Sequence, residues 1–280
     1  MSRDARPRRA ARAIDSLDNP AVRQARRLER DRGERDRAGL YLAWGAHLAG
    51  EAVAAAAPVT RVFVAVPAGS GSEAGRLAAI LAGRGAEVLT VRPAILESMA
   101  QGAGDQGIVL LVRRPTIALA DLLARRPALV LAAHGVQDPG NVGTMARSAL
   151  VLGAGGMVAL EGTADPHSSR AVRAGMGAHF RLPMAAAGSA VALAALRAAG
   201  LRIVAADAAG DVPPAAAGLG RPSVICVGSE GAGLPAELLA AADARVRIPM
   251  APGTSSLNVH TAAAILLYEA ARQRGFAGLL

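Results

Sequence analysis

The sequence predicts an α/β protein: a largely parallel sheet covered by helices on both faces, preceded by a smaller α/β unit. Three observations predict it. From about residue 40 onward, short aliphatic runs alternate with alanine-rich stretches of helical length, the signature of strands buried between helical layers. The 64 valine, leucine and isoleucine residues suffice for a folded core, while only six aromatics make that core aliphatic and compact. The loops that follow three of the predicted strands are rich in Gly, Asn, Ser and Glu, and ligands in such sheets sit at the carboxyl ends of strands.

The elements follow in order. Residues 1–37 read as a basic N-terminal arm in which Asn19-Pro20 opens a charged helix, with Asn as cap and Pro at the first helical position. Residues 38–113 read as a small α/β domain: strand RVFVAV (61–66), a helix near 73–82, strand EVLTV (87–91), a helix near 93–100 and strand IVLLV (108–112). Arg113-Arg114-Pro115 breaks the pattern, so 114–126 is expected to be a linker. Residues 127–275 form the second series. It runs through strand ALVLAA (128–133), a helix opened by Asn141, strand MVAL, helices near 167–177 and 189–199, and strand LRIVAA. Strand SVICVG (223–228), a helix near 235–242, strand RVRIP and a last helix over 258–273 complete it.

Composition excludes several chemistries. All 31 basic residues are arginines, so there is no Walker A loop, no Schiff-base lysine and no lysine general base. The single cysteine, Cys226, precludes an internal disulfide and points to a reducing, cytoplasmic compartment. The five histidines lack metal-ligand spacing, so no metal is expected. No apolar stretch follows the arginine-rich start, so no signal peptide is expected, and prolines and polar residues inside 248–268 argue against a membrane span. Residues 1–37 hold 12 arginines and 7 acidic residues, more than half of the chain's net charge of +9. That bias suits a polyanionic partner, although a solvated helix is equally compatible with charge alone.

Three loops carry candidate chemistry. In HGVQDPGNVGTMARSA (134–149), Asp138-Pro139-Gly140 turns and Asn141 opens a helix bearing Arg147 nearly two turns in; a helix cap with a surface arginine is the simpler reading of this loop taken alone. VGSEGAGLP (227–235) matches neither GxGxxG nor a phosphate loop; its glycines let the backbone approach a ligand, and although an ordinary strand-to-helix turn is the simpler reading of the spacing, a turn does not require Glu230. In IPMAPGTSSLNVHTAAAILLYE (248–269), Ser255, Ser256 and Asn258 can each cap the final helix; capping needs one, and the surplus points towards a site. His260 could be read as a base, but a single helical histidine beside a cap is more often structural.

Together the three motifs resemble those of the SpoU (TrmH-like) branch of the SPOUT methyltransferases, over roughly 128–273, and the N-terminal unit is similar to the substrate-binding domain many members carry. The resemblance implies a C-terminal SPOUT domain with a parallel sheet and a trefoil knot, a homodimer, and transfer of methyl from S-adenosylmethionine to a ribose 2′-hydroxyl in RNA. Large-subunit (23S) ribosomal RNA is the expected substrate; tRNA and a non-catalytic RNA-binding paralogue are the alternatives. Gly228, Ile248, Met250 and Leu257 match the cofactor-binding positions. Asn141, Arg147, Glu230, Ser256 and Asn258 match the polar residues around methyl and ribose. The family assigns Arg147 the activation of the hydroxyl, but arginine keeps its proton to above about pH 12, so electrostatic stabilisation is its expected role. The chain departs from the pattern at His260, where Ser or Ala is common, and at Arg173-Ala174-Gly175-Met176-Gly177, where Arg-Ala-Ser-x-Gly is usual.

Overall fold

A computed structural model describes residues 12–65, 72–100, 107–114, 117–253 and 256–279. The chain forms two compact units, Met1–Arg114 with His167–Ser169, and Pro115–Pro166 with Arg170–Leu280.

The first unit runs β1 (Arg12–Ile14), α1 (Pro20–Arg30), α2 (Arg32–Ala38), β2 (Leu40–Trp44), α3 (Gly45–Ala54), β3 (Val59–Ala65), α4 (Glu73–Gly83), β4 (Glu87–Val91), α5 (Pro93–Ala100) and β5 (Ile108–Arg113). Its sheet has the order β1-β4-β3-β5-β2, with β5 antiparallel to both neighbours and the other pairs parallel. Asn19 caps α1 as expected, its side chain accepting from the Ala21 N–H at 2.9 Å. The expectation of a separate arm over 1–37 needs correction. Val22, Ala25 and Leu28 recur every three residues along α1 and are buried with Leu42, Trp44, Phe63 and Leu89 in the core of this unit. The helix is half core, and only its other face is basic. Arg35 is buried as well and donates to the Leu28 and Glu29 carbonyls, closing the carboxyl end of α1. β2 and α3 are hard to separate in sequence because in LYLAWGAHLAGEAVA a single glycine, Gly45 at φ 94°, marks the junction of strand and helix.

The second unit runs α6 (Leu119–Ala124), β6 (Leu129–Ala133), α7 (Pro139–Val151), β7 (Gly156–Ala159), α8 (Ser169–Ala174), β8 (Met184–Ala186), α9 (Ser189–Ala198), β9 (Arg202–Ala206), β10 (Ser223–Val227), α10 (Ala236–Ala240), β11 (Ala244–Val246) and α11 (Val259–Gln273). The expected linker 114–126 thus contains a helix, and Leu119 and Leu122 of α6 belong to the core of this unit. The sheet order is β11-β9-β10-β6-β7-β8 and every pair is parallel. Period-two alternation places Leu129, Leu131 and Ala133 on the face covered by α7 and α11, and Val130 and Ala132 on the face covered by α6 and α9. Cys226 sits in the second of these layers, where burial pushes its thiol up to about 12 and leaves it an inert packing residue. Among the described residues no helix is long and apolar enough to cross a membrane.

The departure at Gly175 has a packing reason. A Cβ at position 175 would lie 2.4 Å from the ring of His179, which is buried with its Nε2 2.7 Å from the Pro166 carbonyl oxygen. The glycine makes room for the imidazole. Burial lowers the His179 pKa to about 4, so the unfolded chain binds a proton here, at an ordinary value near 6.5, before the folded chain does. Stability contributed by the neutral ring is therefore complete above about pH 6.5 and lost as pH falls towards 4, a loss of up to about 3 kcal/mol. Urea midpoints measured between pH 7 and 4.5 are expected to fall more steeply for the natural chain than for His179→Leu; equal slopes would remove His179 from the account.

Candidate active site

The site lies at the carboxyl ends of three adjacent strands of the parallel sheet, β11, β9 and β10. A cavity of about 380 Å³ is lined by Asp207 and Ala208 after β9, Gly228 to Leu234 after β10, Ile248 and Met250 after β11, and Ser256, Leu257 and Val259 leading into α11. All four expected cofactor residues, Gly228, Ile248, Met250 and Leu257, line it, and so do Glu230 and Ser256. The loop after β10 is drawn tight: the Gly233 N–H donates to the Ser229 carbonyl at 2.9 Å, and the Ala232 N–H reaches the Ser229 hydroxyl at 3.3 Å. A Cβ on Gly228 would come within 2.2 Å of the Gly233 carbonyl carbon and oxygen and 2.4 Å of the Leu234 nitrogen, so only glycine permits this closure.

Beside the cavity three of the expected polar residues meet. The Asn141 amide donates to Glu230 Oε1 at 3.1 Å and the Asn258 amide donates to the same oxygen at 2.6 Å. The expectation that Asn141 opens its helix is corrected here. The cap of α7 is Asp138, whose carboxylate accepts from the Asn141 N–H at 3.0 Å, and Pro139 holds the first helical position. Asp138 also pairs with Arg170 at 2.8 Å. Because Asp138 does the capping, the Asn141 side chain is released to face Glu230. At the other helix Asn258 does cap, its Oδ1 accepting from the His260 N–H at 2.9 Å while its amide serves the cluster. Ser255 lies outside the described residues.

Arg147 stands apart. It is exposed on α7 and has no hydrogen bond or ion pair among the described residues. At about 100° per residue it lies roughly 120° round the helix from Asn141.

Two further residues stand at the site. Asp207 follows β9 at the same sheet edge, and its carboxylate is held by Arg245 through Nη2 at 2.6 Å and Nε at 2.8 Å. An acidic residue directly after the strand LRIVAA was the available signal. His260 brings Nδ1 to 3.3 Å from Asn141 Oδ1, a contact across 119 positions that no local pattern reveals. Among the described residues no group of His, Cys, Asp and Glu is arranged to hold a metal ion.

A second charged feature lies on the first unit. Arg23, Arg26, Arg27 and Arg30, spaced i, i+3, i+4 and i+7, form the solvent face of α1 and line a concavity of about 480 Å³ with Pro20 and Asp31. None of these four side chains has a hydrogen bond or ion pair among the described residues. Arg32, Arg37 and Arg114 nearby are paired with acidic side chains.

A parallel sheet whose strand ends hold a glycine-rich cavity and a convergent polar cluster defines a ligand-binding catalytic domain of the α/β type. The sequence matches the SpoU rRNA Methylase family over residues 128–268 and the MRM3-like substrate binding domain over 19–110. The chain belongs to the SpoU rRNA methylase family. It is 34% identical over 269 residues to an uncharacterized tRNA/rRNA methyltransferase of Mycolicibacterium smegmatis, covering 92% of this chain and 85% of that one. Its fold matches the crystal structure of an AdoMet-bound rRNA methyltransferase from Sinorhizobium meliloti with a TM-score of 0.83 at 32% identity, over 94% of this chain and 98% of the other. A crystal structure of an RNA 2′-O ribose methyltransferase matches with a TM-score of 0.75 at 32% identity, over 94% and 99%.

Proposed function

We propose that this chain transfers the methyl group of S-adenosylmethionine to a ribose 2′-hydroxyl of RNA, with large-subunit ribosomal RNA as the substrate. One observation carries the reading: Glu230 both lines the cavity and anchors the Asn141–Asn258 cluster, so a ligand in the cavity ends where the polar groups converge. The residues fit the cofactor. Ile248, Met250 and Leu257 offer apolar walls, and the close-packed Gly228 loop presents main chain to a flat base. When bound, S-adenosylmethionine supplies an already activated methyl. Asn141, Glu230, Ser256 and Asn258 then position the ribose, and Arg147 offers its unpaired charge to the RNA phosphate and the developing alkoxide. The AdoMet-bound and 2′-O ribose relatives support this assignment. Equilibrium dialysis with labelled S-adenosylmethionine tests it, and no binding at large excess would sink it. Mapping 2′-O-methyls in ribosomal RNA from a deletion strain and its parent identifies the nucleotide.

The arginine face of α1 belongs to this reading as the surface that holds the RNA backbone. Four neutralised phosphates on single-stranded RNA correspond to a log–log salt slope of roughly −2.8. Replacing Arg23, Arg26, Arg27 and Arg30 by glutamine should flatten the measured slope by about that amount and leave cofactor affinity unchanged. A slope equal to that of the natural chain would discard the surface. Removing residues 1–37 outright is the poorer test, because Val22, Ala25 and Leu28 would leave the core with them.

A homodimer and a trefoil knot complete the proposal. Exposed Val151 on α7 and Ile265 and Tyr268 on α11 give the dimer an apolar surface on two helices packed against each other. Ile265→Asp combined with Tyr268→Arg is expected to sediment as a monomer; an unchanged dimer would place the interface elsewhere.

A further inference from the structure

We propose that His260 accepts the proton of the ribose hydroxyl, working from Nε2, with Asn141 and Glu230 fixing the tautomer that leaves Nε2 unprotonated. The inference rests on the methyl-transfer reading above and concerns a group which that reading leaves without a role.

The argument is one of hydrogen-bond direction. An ionised carboxylate only accepts, so the atom of Asn141 that faces Glu230 Oε1 at 3.1 Å has to be the amide nitrogen. Rotating the amide by half a turn would set its oxygen against the carboxylate. The second hydrogen bond to the same carboxylate oxygen, from Asn258 at 2.6 Å, leaves Glu230 in place as an acceptor. With its nitrogen committed, Asn141 turns Oδ1 towards His260, whose Nδ1 lies 3.3 Å away. A carbonyl oxygen accepts, so Nδ1 carries the proton. In a neutral imidazole the other nitrogen, Nε2, then holds the lone pair. Nε2 has no hydrogen-bond partner among the described residues.

The placement suits the role. His260 is half-buried in the first turn of α11; Leu257, Val259 and Ala262 of the same segment line the cavity, and His260 itself stands beside it, against Asn141 of the polar cluster. The ionisable groups on the elements around it are few. Asp138, the cap of α7, is paired with Arg170, and α7 carries the exposed Arg147; the loop after β10 carries Glu230; α11 carries the exposed Tyr268 and the mutually paired Glu269 and Arg272; β10 carries only the buried Cys226. Among these, Glu230 is the one connected to His260 through a hydrogen-bonded side chain, that of Asn141. The step balances. The 2′-oxygen forms its bond to the methyl carbon, the carbon–sulfur bond breaks with its electron pair going to sulfur, and the hydroxyl proton passes to Nε2, to be lost to solvent before the next turnover. Arginine cannot take this proton at ordinary pH.

Two measurements test the assignment. Nitrogen-15 NMR of the cofactor-free protein should show neutral His260 protonated on Nδ1, and Asn141→Ala should abolish that preference; an Nε2–H tautomer in the natural chain overturns the proposal without any assay of activity. In single-turnover methylation, the natural chain should show a rate that climbs with pH as the imidazolium loses its proton. His260→Ala should lose that limb and fall by 10²–10⁴-fold, with cofactor affinity within threefold, and added imidazole should restore part of the rate. A persisting limb in an active His260→Ala, or one that imidazole does not rescue, overturns the role as base. A natural chain that binds no S-adenosylmethionine overturns the underlying reading instead, and this one with it.

Discussion

Arg147→Ala is expected to lower the methyl-transfer rate by about 10²–10³-fold while leaving the shape of the pH–rate profile intact. Arg147 is exposed on α7 with no counter-ion among the described residues, so its charge is available to a ligand and is not spent on the fold. It lies roughly 9 Å along the helix axis from Asn141 and on another side of the helix, outside the amide–carboxylate cluster. A cation at that distance acts by field and by holding a phosphate, not by joining the hydrogen-bond chain that ends at His260. A guanidinium is a poor proton acceptor, so removing it subtracts electrostatic stabilisation and no general base. Arg147→Lys keeps the charge without the planar fork and should fall between the natural chain and the alanine variant. Stopped-rate assays across pH on Arg147→Ala and His260→Ala separate the two roles: a large loss with the profile preserved in the first, loss of the limb in the second. Disappearance of the limb in Arg147→Ala would overturn the purely electrostatic role given to the arginine.

Gly228→Ala should weaken S-adenosylmethionine binding by at least 100-fold. The added methyl meets main chain, not a side chain that can swing away: Gly233 carbonyl atoms at 2.2 Å and Leu234 nitrogen at 2.4 Å. Contacts that short force the loop after β10 to open, and the loop is the wall of the cavity. The strand itself should survive, because β10 ends at Val227 and stays paired with β6 and β9. Gly231→Ala is the matched comparison. A Cβ there meets nothing within 4 Å, so its effect should be far smaller although it lies in the same loop. Isothermal titration with both variants, alongside circular dichroism to confirm the fold, distinguishes them; affinities equal for the two would mean the tight closure is irrelevant to the cofactor.

How much of this was legible depended on whether the signal was local. Asn19-Pro20 announced α1 because capping is decided within three residues. Asp138-Pro139 carries the same signal, but Asn141 is also a good cap in sequence, and only the observed side-chain geometry ranks the two. The basic stretch 1–37 read as an arm because charge dominates its composition, whereas the buried stripe Val22, Ala25 and Leu28 is only three small or medium residues among arginines. The sheet edge strand β8, three residues long, fell below any periodicity.

The amino-acid sequence by itself determined the alternation of strands and helices, the three loops at the strand ends and the exclusion of lysine chemistry, because each of these depends on residue type and short-range spacing. Only the tertiary structure decided which polar side chains act together. Glu230 meets Asn141 across 89 positions, and His260 meets Asn141 across 119. These pairings follow from parallel strands delivering all their carboxyl ends to one edge of the sheet, a consequence of strand order that no stretch of sequence contains. The same geometry brought His260, ambiguous as a letter, to 3.3 Å from the side chain of Asn141.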